Sequence, residues 1–185
     1  FLPWSDALIE RYVSRWDWKK LSNNDSLPWS EALIELYEGK WDWDSLSGNE
    51  SIPWSDALIE RYVSRWDWNR LSTASFLPWS EALIERFEDR WNWSNGFGRG
   101  LSGNETLPWS EALIERFEGR WDWRSLSGNK SIPWSETLLE HFADRWDWDG
   151  GRGGLYNKGV AKLFKTWTKQ EISTALEAIK SAHAQ

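Results

Sequence analysis

Six times along the chain the tripeptide Pro-Trp-Ser recurs, beginning at Pro3, Pro28, Pro53, Pro78, Pro108 and Pro133. The steps between them are 25, 25, 25, 30 and 25 residues. No other feature constrains the fold as tightly. Self-similarity at a fixed period of this length marks a repeat architecture, in which each copy is one supersecondary unit leaning on its neighbours. The copies share the pattern P-W-S-[DE]-[AT]-L-[IL]-E-x-[YF]-x-x-[RK]-W-[DN]-W-x-x-L-S-x-N-x-[ST]-[LI], with the Pro as position 1. The one long step comes from an insertion, Ser94 to Gly100, ahead of Leu101.

Each copy carries two helix starts. The Ser after Pro-Trp, such as Ser30, is a good N-cap, and the acid behind it, Glu31, suits the positive end of a helix dipole. Trp29 and Ile34 flank that start at the spacing of a hydrophobic staple. Leu33, Ile34, Tyr37 and Trp41 then fall on one helical face, so the pattern predicts a first helix from Glu31 to about Lys40. The second start is the Asp of W-D-W. Asp42 can cap, Trp41 and Leu46 repeat the staple spacing, and Trp43 to Ser47 reads as a short second helix. Gly48 and Asn49 stand where a left-handed C-terminal cap is expected, and the next Pro sets the entry to the following copy. The expected fold class is therefore all-α: a tandem-repeat solenoid of six units, each a longer and a shorter helix, with a C-terminal capping helix.

A β-containing alternative reads L-S-G-N-x-S-I-P as a leucine-rich repeat, for which this period is acceptable. That repeat needs apolar residues five before and two after its Asn. Around Asn49 those places hold Asp44 and Ser51, and around Asn129 they hold Arg124 and Ser131, so two core positions fail.

The 19 Trp are explained by the same repeat, three per copy, with Trp167 left over. Aromatic side chains recurring on a helical face form core, and in the second copy Trp29, Leu33, Tyr37, Trp41, Trp43 and Leu46 are the expected core set. One copy alone buries too little to offset the ordering of 25 residues, so copies must stack. Charge patterning agrees. In the fifth copy Glu111, Glu115 and Glu118 line one edge of the apolar stripe, while Arg116 and Arg120 line the other. Stacked first helices should therefore set the acidic edge of one copy against the basic edge of a neighbour. Such exposed pairs would serve register more than stability.

The repeated unit P-W-S-x-x-L-I-E-x-[YF]-x-x-[RK]-W-D-W-x-x-L-S-x-N resembles Trp-rich repeats of uncharacterised bacterial proteins. It is also similar to W-D-W-x-x-L-S-x-N repeats of large-virus proteins. The resemblance spans Phe1 to about Trp148 and implies a repeat scaffold; it brings no catalytic residue with it. Two departures stand out: Ala74 in place of the Asn in the third copy, and Asp149 to Gly154 in place of the usual turn in the sixth.

The chain thus divides into repeats, residues 1–154, and a different segment, residues 155–185. The latter holds five Lys against two Glu, a local net of +3, which leaves −10 for the repeats out of the total of −7. Thr168 and Glu171 form a capping box, Trp167 and Ile172 a staple, and Ile172, Leu176 and Ile179 an amphipathic stripe. This segment reads as a terminal cap or as a docking helix for a partner. Its W-T-K-Q-E-I stretch is similar to the first helix of a Myb-type DNA-binding domain, of which only one helix is present. A chain without Met, and with no capping segment ahead of Pro3, reads as a piece of something longer.

Chemistry is hard to find in this pattern. There is no Cys, hence no disulfide and no thiolate metal site, and His141 and His183 are the only His. No metal-ligand spacing joins them, and His141, at a variable position, is expected at the surface. Acidic residues recur in every copy at capping or surface positions, whereas an active site needs one unusual constellation. No catalytic residue, cofactor or metal is expected. No run of 18 apolar residues occurs, so no membrane-spanning helix is expected. The candidate contacts for an anion or a partner are Arg99 and Arg152, each set among glycines in an irregular loop, and Lys158, Lys162 and Lys165 of the basic segment.

The expected function is a non-enzymatic scaffold that binds a protein or further copies of itself. Its specificity would come from positions 9, 11, 12, 17 and 18, which vary among copies, as Leu36 against Arg61 and Lys19-Lys20 against Asp44-Ser45. The alternative is a ligand-binding protein that uses exposed Trp as stacking platforms for glycans or single-stranded nucleic acid. The −10 of the repeats disfavours nucleic acid there, though not on the basic segment.

Overall fold

The computed structural model describes residues 4–94 and 100–148, together with Thr174, which is helical and exposed. The predicted helices at the C-terminus, and Trp167, lie outside the described residues. Among the described residues the fold is all-helical, with ten α-helices and no strand, so the leucine-rich alternative does not hold. The chain forms two compact units, Phe1–Pro78 and Trp79–Gln185. The first contains α1 (Asp6–Arg11), α2 (Trp18–Ser22), α3 (Glu31–Leu36), α4 (Trp43–Leu46), α5 (Asp56–Arg61) and α6 (Trp68–Thr73). The second contains α7 (Glu81–Arg86), a 3-10 turn at Leu101–Gly103, α8 (Glu111–Arg116), α9 (Trp123–Gly128) and α10 (Glu136–His141). Each unit thus holds three copies.

Both helix starts are capped as the sequence predicts. Ser5, Ser30, Ser55, Ser80, Ser110 and Ser135 each accept the amide three residues on, at 3.0–3.3 Å. Asp17, Asp42, Asp67 and Asp122 cap the second helices in the same manner.

The first helix is shorter than predicted. In the second copy it ends at Leu36, not near Lys40. Beyond it, Glu38 N–H donates to Glu35 at 3.2 Å and Lys40 N–H to Tyr37 at 2.8 Å, the bonds of successive tight turns. The carbonyls thereby released at the helix end are taken by indoles. Trp41 Nε1 donates to Ile34 O at 3.1 Å, and Trp43 Nε1 to Glu38 O at 3.3 Å. The first bond recurs in Trp16, Trp66, Trp91 and Trp121. The second recurs in Trp18, Trp68, Trp93, Trp123 and Trp148. A third indole, that of Trp29, Trp54, Trp109 or Trp134, donates to the carbonyl of the Asn five residues before it. A six-residue helix cannot satisfy its own last carbonyls, and here the Trp side chains do it.

The expected left-handed cap after the second helix is absent. Among the described residues only Gly100 has a positive φ. Asn129, which corresponds to Asn49, is extended at φ −77° and ψ 120°. The reason lies in its side chain. Asn49 is buried, accepts the Ser51 amide at 2.9 Å, and donates Nδ2–H to Ser22 O of the preceding copy at 2.9 Å. Its side chain thus ties this residue to the preceding copy and to the amide two residues on, and its counterpart Asn129 does both with an extended backbone.

The insertion leaves the register intact. Leu101 N–H donates to Asn92 O at 2.8 Å, as Leu46 N–H does to Asp42 O at 2.9 Å. Gly100, at φ 144°, makes the return, and a Cβ there would stand 2.8 Å from Asn92 O. Only glycine fits so close a backbone approach in that region of φ/ψ space.

Candidate functional site

Copies within a unit are joined by three kinds of contact. The innermost is a buried serine at position 20. Ser47 Oγ donates to its own copy's Trp43 O at 2.7 Å and accepts the Asp67 amide of the next copy at 2.9 Å. Ser22, Ser102 and Ser127 make the same pair of bonds, and all four side chains are fully buried. Around the serine lies an aromatic notch. Trp43 sits 4.8 Å from Tyr62 and 4.9 Å from Trp66 of the next copy. Trp18, Trp93 and Trp123 repeat this arrangement. Edge-to-face and tilted pairs at these spacings are the favoured geometries for aromatic rings.

The outermost contact is the predicted charge ladder. Arg61 pairs with Glu35 at 2.6 Å and Arg65 with Glu38 at 3.2 Å. In the second unit Arg116 pairs with Glu85 at 3.0 Å, Arg120 with Glu88 at 2.9 Å and with Asp89, and Arg145 with Glu118 at 2.9 Å. The direction is uniform: the basic edge of the later copy meets the acidic edge of the earlier one. A second row runs beside the short helices, where Arg70 makes a bidentate pair with Asp44 at 2.8 and 3.0 Å. These partners are about half exposed, so each pair contributes about 0–1 kcal/mol.

The junction between the first and second copies lacks these rungs. Leu36 replaces the cation at position 9 and Val13 replaces the Glu at position 11. Lys40 instead lies 5.9 Å from the Trp18 ring centroid. Leu36 is 65% exposed, the most exposed large apolar side chain among the described residues. Positions 9 and 12 are exposed in every copy, so much of the sequence variation faces solvent. His141 is exposed as expected; its ring stacks on Phe142 at 4.3 Å, and Nδ1 lies 3.4 Å from Glu111.

Titration follows from these contacts. The hydroxyl and amide of Ser45 hold the Asp42 carboxyl below its ordinary value. The Arg70 guanidinium does the same for Asp44, and Asp44 in turn raises Arg70. Burial pushes the Tyr37 and Tyr62 phenols up, and neither hydroxyl has a hydrogen-bond partner among the described residues.

Of the six residues expected in the core, Leu33, Tyr37, Trp41 and Leu46 are buried, and Trp29 and Trp43 are half-buried. The eighteen repeat Trp are all buried or half-buried, none exposed. Arg99, Arg152, Lys158, Lys162 and Lys165 lie outside the described residues. The buried Ser and Asn that join copies were not anticipated as contacts, although L-S-x-N is the most regular string after W-D-W. Among the described residues no three His, Asp or Glu side chains group to hold a metal ion, and no helix is long and apolar enough to cross a membrane.

These features define an all-α, Trp-rich tandem-repeat protein. No family model, curated protein or solved structure matches the chain.

Proposed function

We propose that this chain is a non-enzymatic repeat scaffold that binds another protein through the exposed, variable side chains of its stacked copies. The observation that carries the reading is the separation of roles within each copy. The recurring apolar, Ser and Asn side chains hold neighbouring copies together from inside, whereas positions 9 and 12 differ between copies and are exposed, even where Arg61, Asp89 and Arg116 also carry a ladder pair. Leu36 is the sharpest case, an apolar side chain exposed at a position that holds Arg or His in the other copies. Repeat stacks use such surfaces for extended recognition. The inward placement of the repeat Trp favours this reading over stacking platforms for glycans or single strands. Many of the acidic side chains act as helix caps or ladder partners, among them Asp42, Asp122, Glu35, Glu85 and Glu118, which supports a scaffold rather than a catalyst. The same reading takes the chain as kin to the Trp-rich repeats that its sequence resembles.

The test is a photo-crosslinking residue placed at position 36 of the full chain, and for comparison at Ala32, which is exposed but belongs to the common pattern. In extracts of cells that express the chain, position 36 should capture one protein that position 32 does not, and Leu36→Glu should abolish the capture. Capture of the chain itself would identify the partner as a further copy. No capture, or identical capture from both positions, refutes the reading.

A further inference from the structure

Four of the copies carry a tripeptide with a second chemical meaning. Asn24-Asp25-Ser26, Asn49-Glu50-Ser51, Asn104-Glu105-Thr106 and Asn129-Lys130-Ser131 all fit N-x-[ST], the acceptor pattern for N-linked glycans. Asn92-Trp93-Ser94 is a fifth instance, at another position of the repeat. An acceptor must offer its carboxamide nitrogen to an enzyme and then carry a bulky sugar on it, which suits a surface loop. The fold puts these nitrogens inside. Asn49, Asn104 and Asn129 are 2%, 7% and 2% exposed. Asn49 Nδ2 donates to Ser22 O at 2.9 Å, and Asn129 Nδ2 is shared between Ser102 O and Asn104 O, each at 3.4 Å. All three carbonyls belong to the preceding copy. The other end of each side chain is taken as well. The Oδ1 atoms of Asn24, Asn49, Asn104 and Asn129 accept the amide of the Ser or Thr two residues on, at 2.9–3.0 Å. The string N-x-[ST] is thus the imprint of an Asx turn that locks one copy to the one before. The third copy agrees, since it loses both ends of the pattern together: Ala74 and Phe76 replace the Asn and the Ser, and Phe76 stacks on Trp54 at 5.7 Å.

We propose that stacking of the copies and N-linked modification of Asn49, Asn104 and Asn129 exclude each other: the folded chain offers no acceptor at these residues, and the unfolded chain offers three whose use prevents the junctions from forming. In the transfer, Nδ2 attacks C1 of a glycosyl pyrophosphate. The N–C1 bond forms, the C1–O bond to the pyrophosphate breaks, and Nδ2 gives up one proton. In the stack Asn49 Nδ2 and Asn129 Nδ2 are enclosed and aimed at a neighbouring copy's backbone, so C1 has no approach. If transfer comes first, a sugar stands where the backbone at Ser22 or Ser102 must pack. The consequence is a constraint on maturation: either folding is complete before the chain meets an N-glycosylating enzyme, or the chain folds where that enzyme is absent. The inference uses the junctions alone and stands or falls separately from the scaffold reading.

The test sends the full chain through the secretory pathway of N-glycosylating cells behind a cleavable signal peptide. Ser26→Ala and Asn92→Asp, the latter restoring the residue found there in the other copies, leave only the three buried acceptors. Glycan occupancy at each Asn is read by mass spectrometry, separately for molecules that resist limited proteolysis and molecules that do not. Glycans at Asn49, Asn104 and Asn129 should be confined to the protease-sensitive molecules. Ser51→Ala, Thr106→Ala and Ser131→Ala together delete the acceptor pattern and keep the amides that the Asn side chains bind, so they should shift the chain into the resistant fraction. Blocking glycan synthesis in the same cells should do the same without any of these three substitutions. A chain that folds ahead of the enzyme carries no glycan at these residues, and Leu46→Ala, which empties a fully buried site, should then acquire them. A glycan at Asn49 or Asn129 on protease-resistant molecules overturns the proposal. So does a glycosylated chain that gains no resistance when glycan synthesis is blocked, or an unfolded Leu46→Ala chain left unmodified at all three residues.

Discussion

Ser47 offers the most direct test of how the copies are held in register. Its side chain is fully buried and joins two copies through one hydroxyl. In Ser47→Ala the Trp43 carbonyl keeps a partner, since the Ser47 amide also donates to it at 3.0 Å. The Asp67 amide keeps none. The volume change is small, so a cavity contributes little, and the cost is that of one unsatisfied donor, about 1–3 kcal/mol. Urea denaturation should therefore show a lower midpoint at an unchanged slope. Hydrogen exchange should speed up at the Asp67 amide more than at the Asp42 amide, which Ser22 still accepts. A loss below about 0.5 kcal/mol, the range of ordinary surface substitutions, would refute the view that the serine relay couples the copies, as would uniform acceleration of both amides.

Three further substitutions probe other parts of the design. Tyr62→Phe removes a buried hydroxyl without a partner and should leave stability unchanged or raise it by about 1 kcal/mol, read by thermal unfolding; Phe87, Phe117 and Phe142 already occupy that position. Gly100→Ala forces a side chain into positive φ against Asn92 O, and calorimetry should show a loss on the order of 1–3 kcal/mol. Asp42 titrates below its ordinary value near 3.8 because Ser45 binds the carboxylate. Its contribution is thus fully present above that value and is lost as pH falls through the lowered one. Asp42→Asn keeps a capping oxygen, so unfolding measured from pH 6 to pH 2 should depend less on acid than in the parent chain.

The sequence made the helices, their caps and the charge ladder legible, because each depends on spacing within one copy or on its exact repetition in the next. Ser30 and Asp42 announce two helix starts by local chemistry alone. The end of the first helix was not legible. Tyr37 to Lys40 continue the apolar periodicity, yet the chain leaves the helix at Leu36, since indoles from Trp41 and Trp43 supply donors that a longer helix would have to supply from its backbone. The left-handed turn expected at Gly48 and Asn49 failed for a related reason. Asn49 looks like a turn residue in isolation, but its amide group is bonded to Ser22 of another copy, and no local pattern reveals that. Positions 9 and 12 were legible as variable from the copies themselves, whereas their exposure is read from the fold.

The three Trp of each copy answer a problem that their number alone would misstate. Two helices of only four to six residues lack the length to be stable by themselves, and ending them so soon leaves several carbonyls in an apolar interior. A Leu or Phe at these positions would bury area and leave the carbonyls bare. An indole does both tasks at once, since its ring packs across the junction and its single N–H satisfies a helix end. With ends closed by Trp and register set by Ser and Asn, the fold rests chiefly on buried groups, and the outer positions add only the weak pairs of the charge ladder. Arg, Leu and His can therefore exchange at position 9 while Ile34, Ile59 and Ile114, two residues before it, stay fully buried. The tryptophan content is thus the condition that lets the outside of the stack vary.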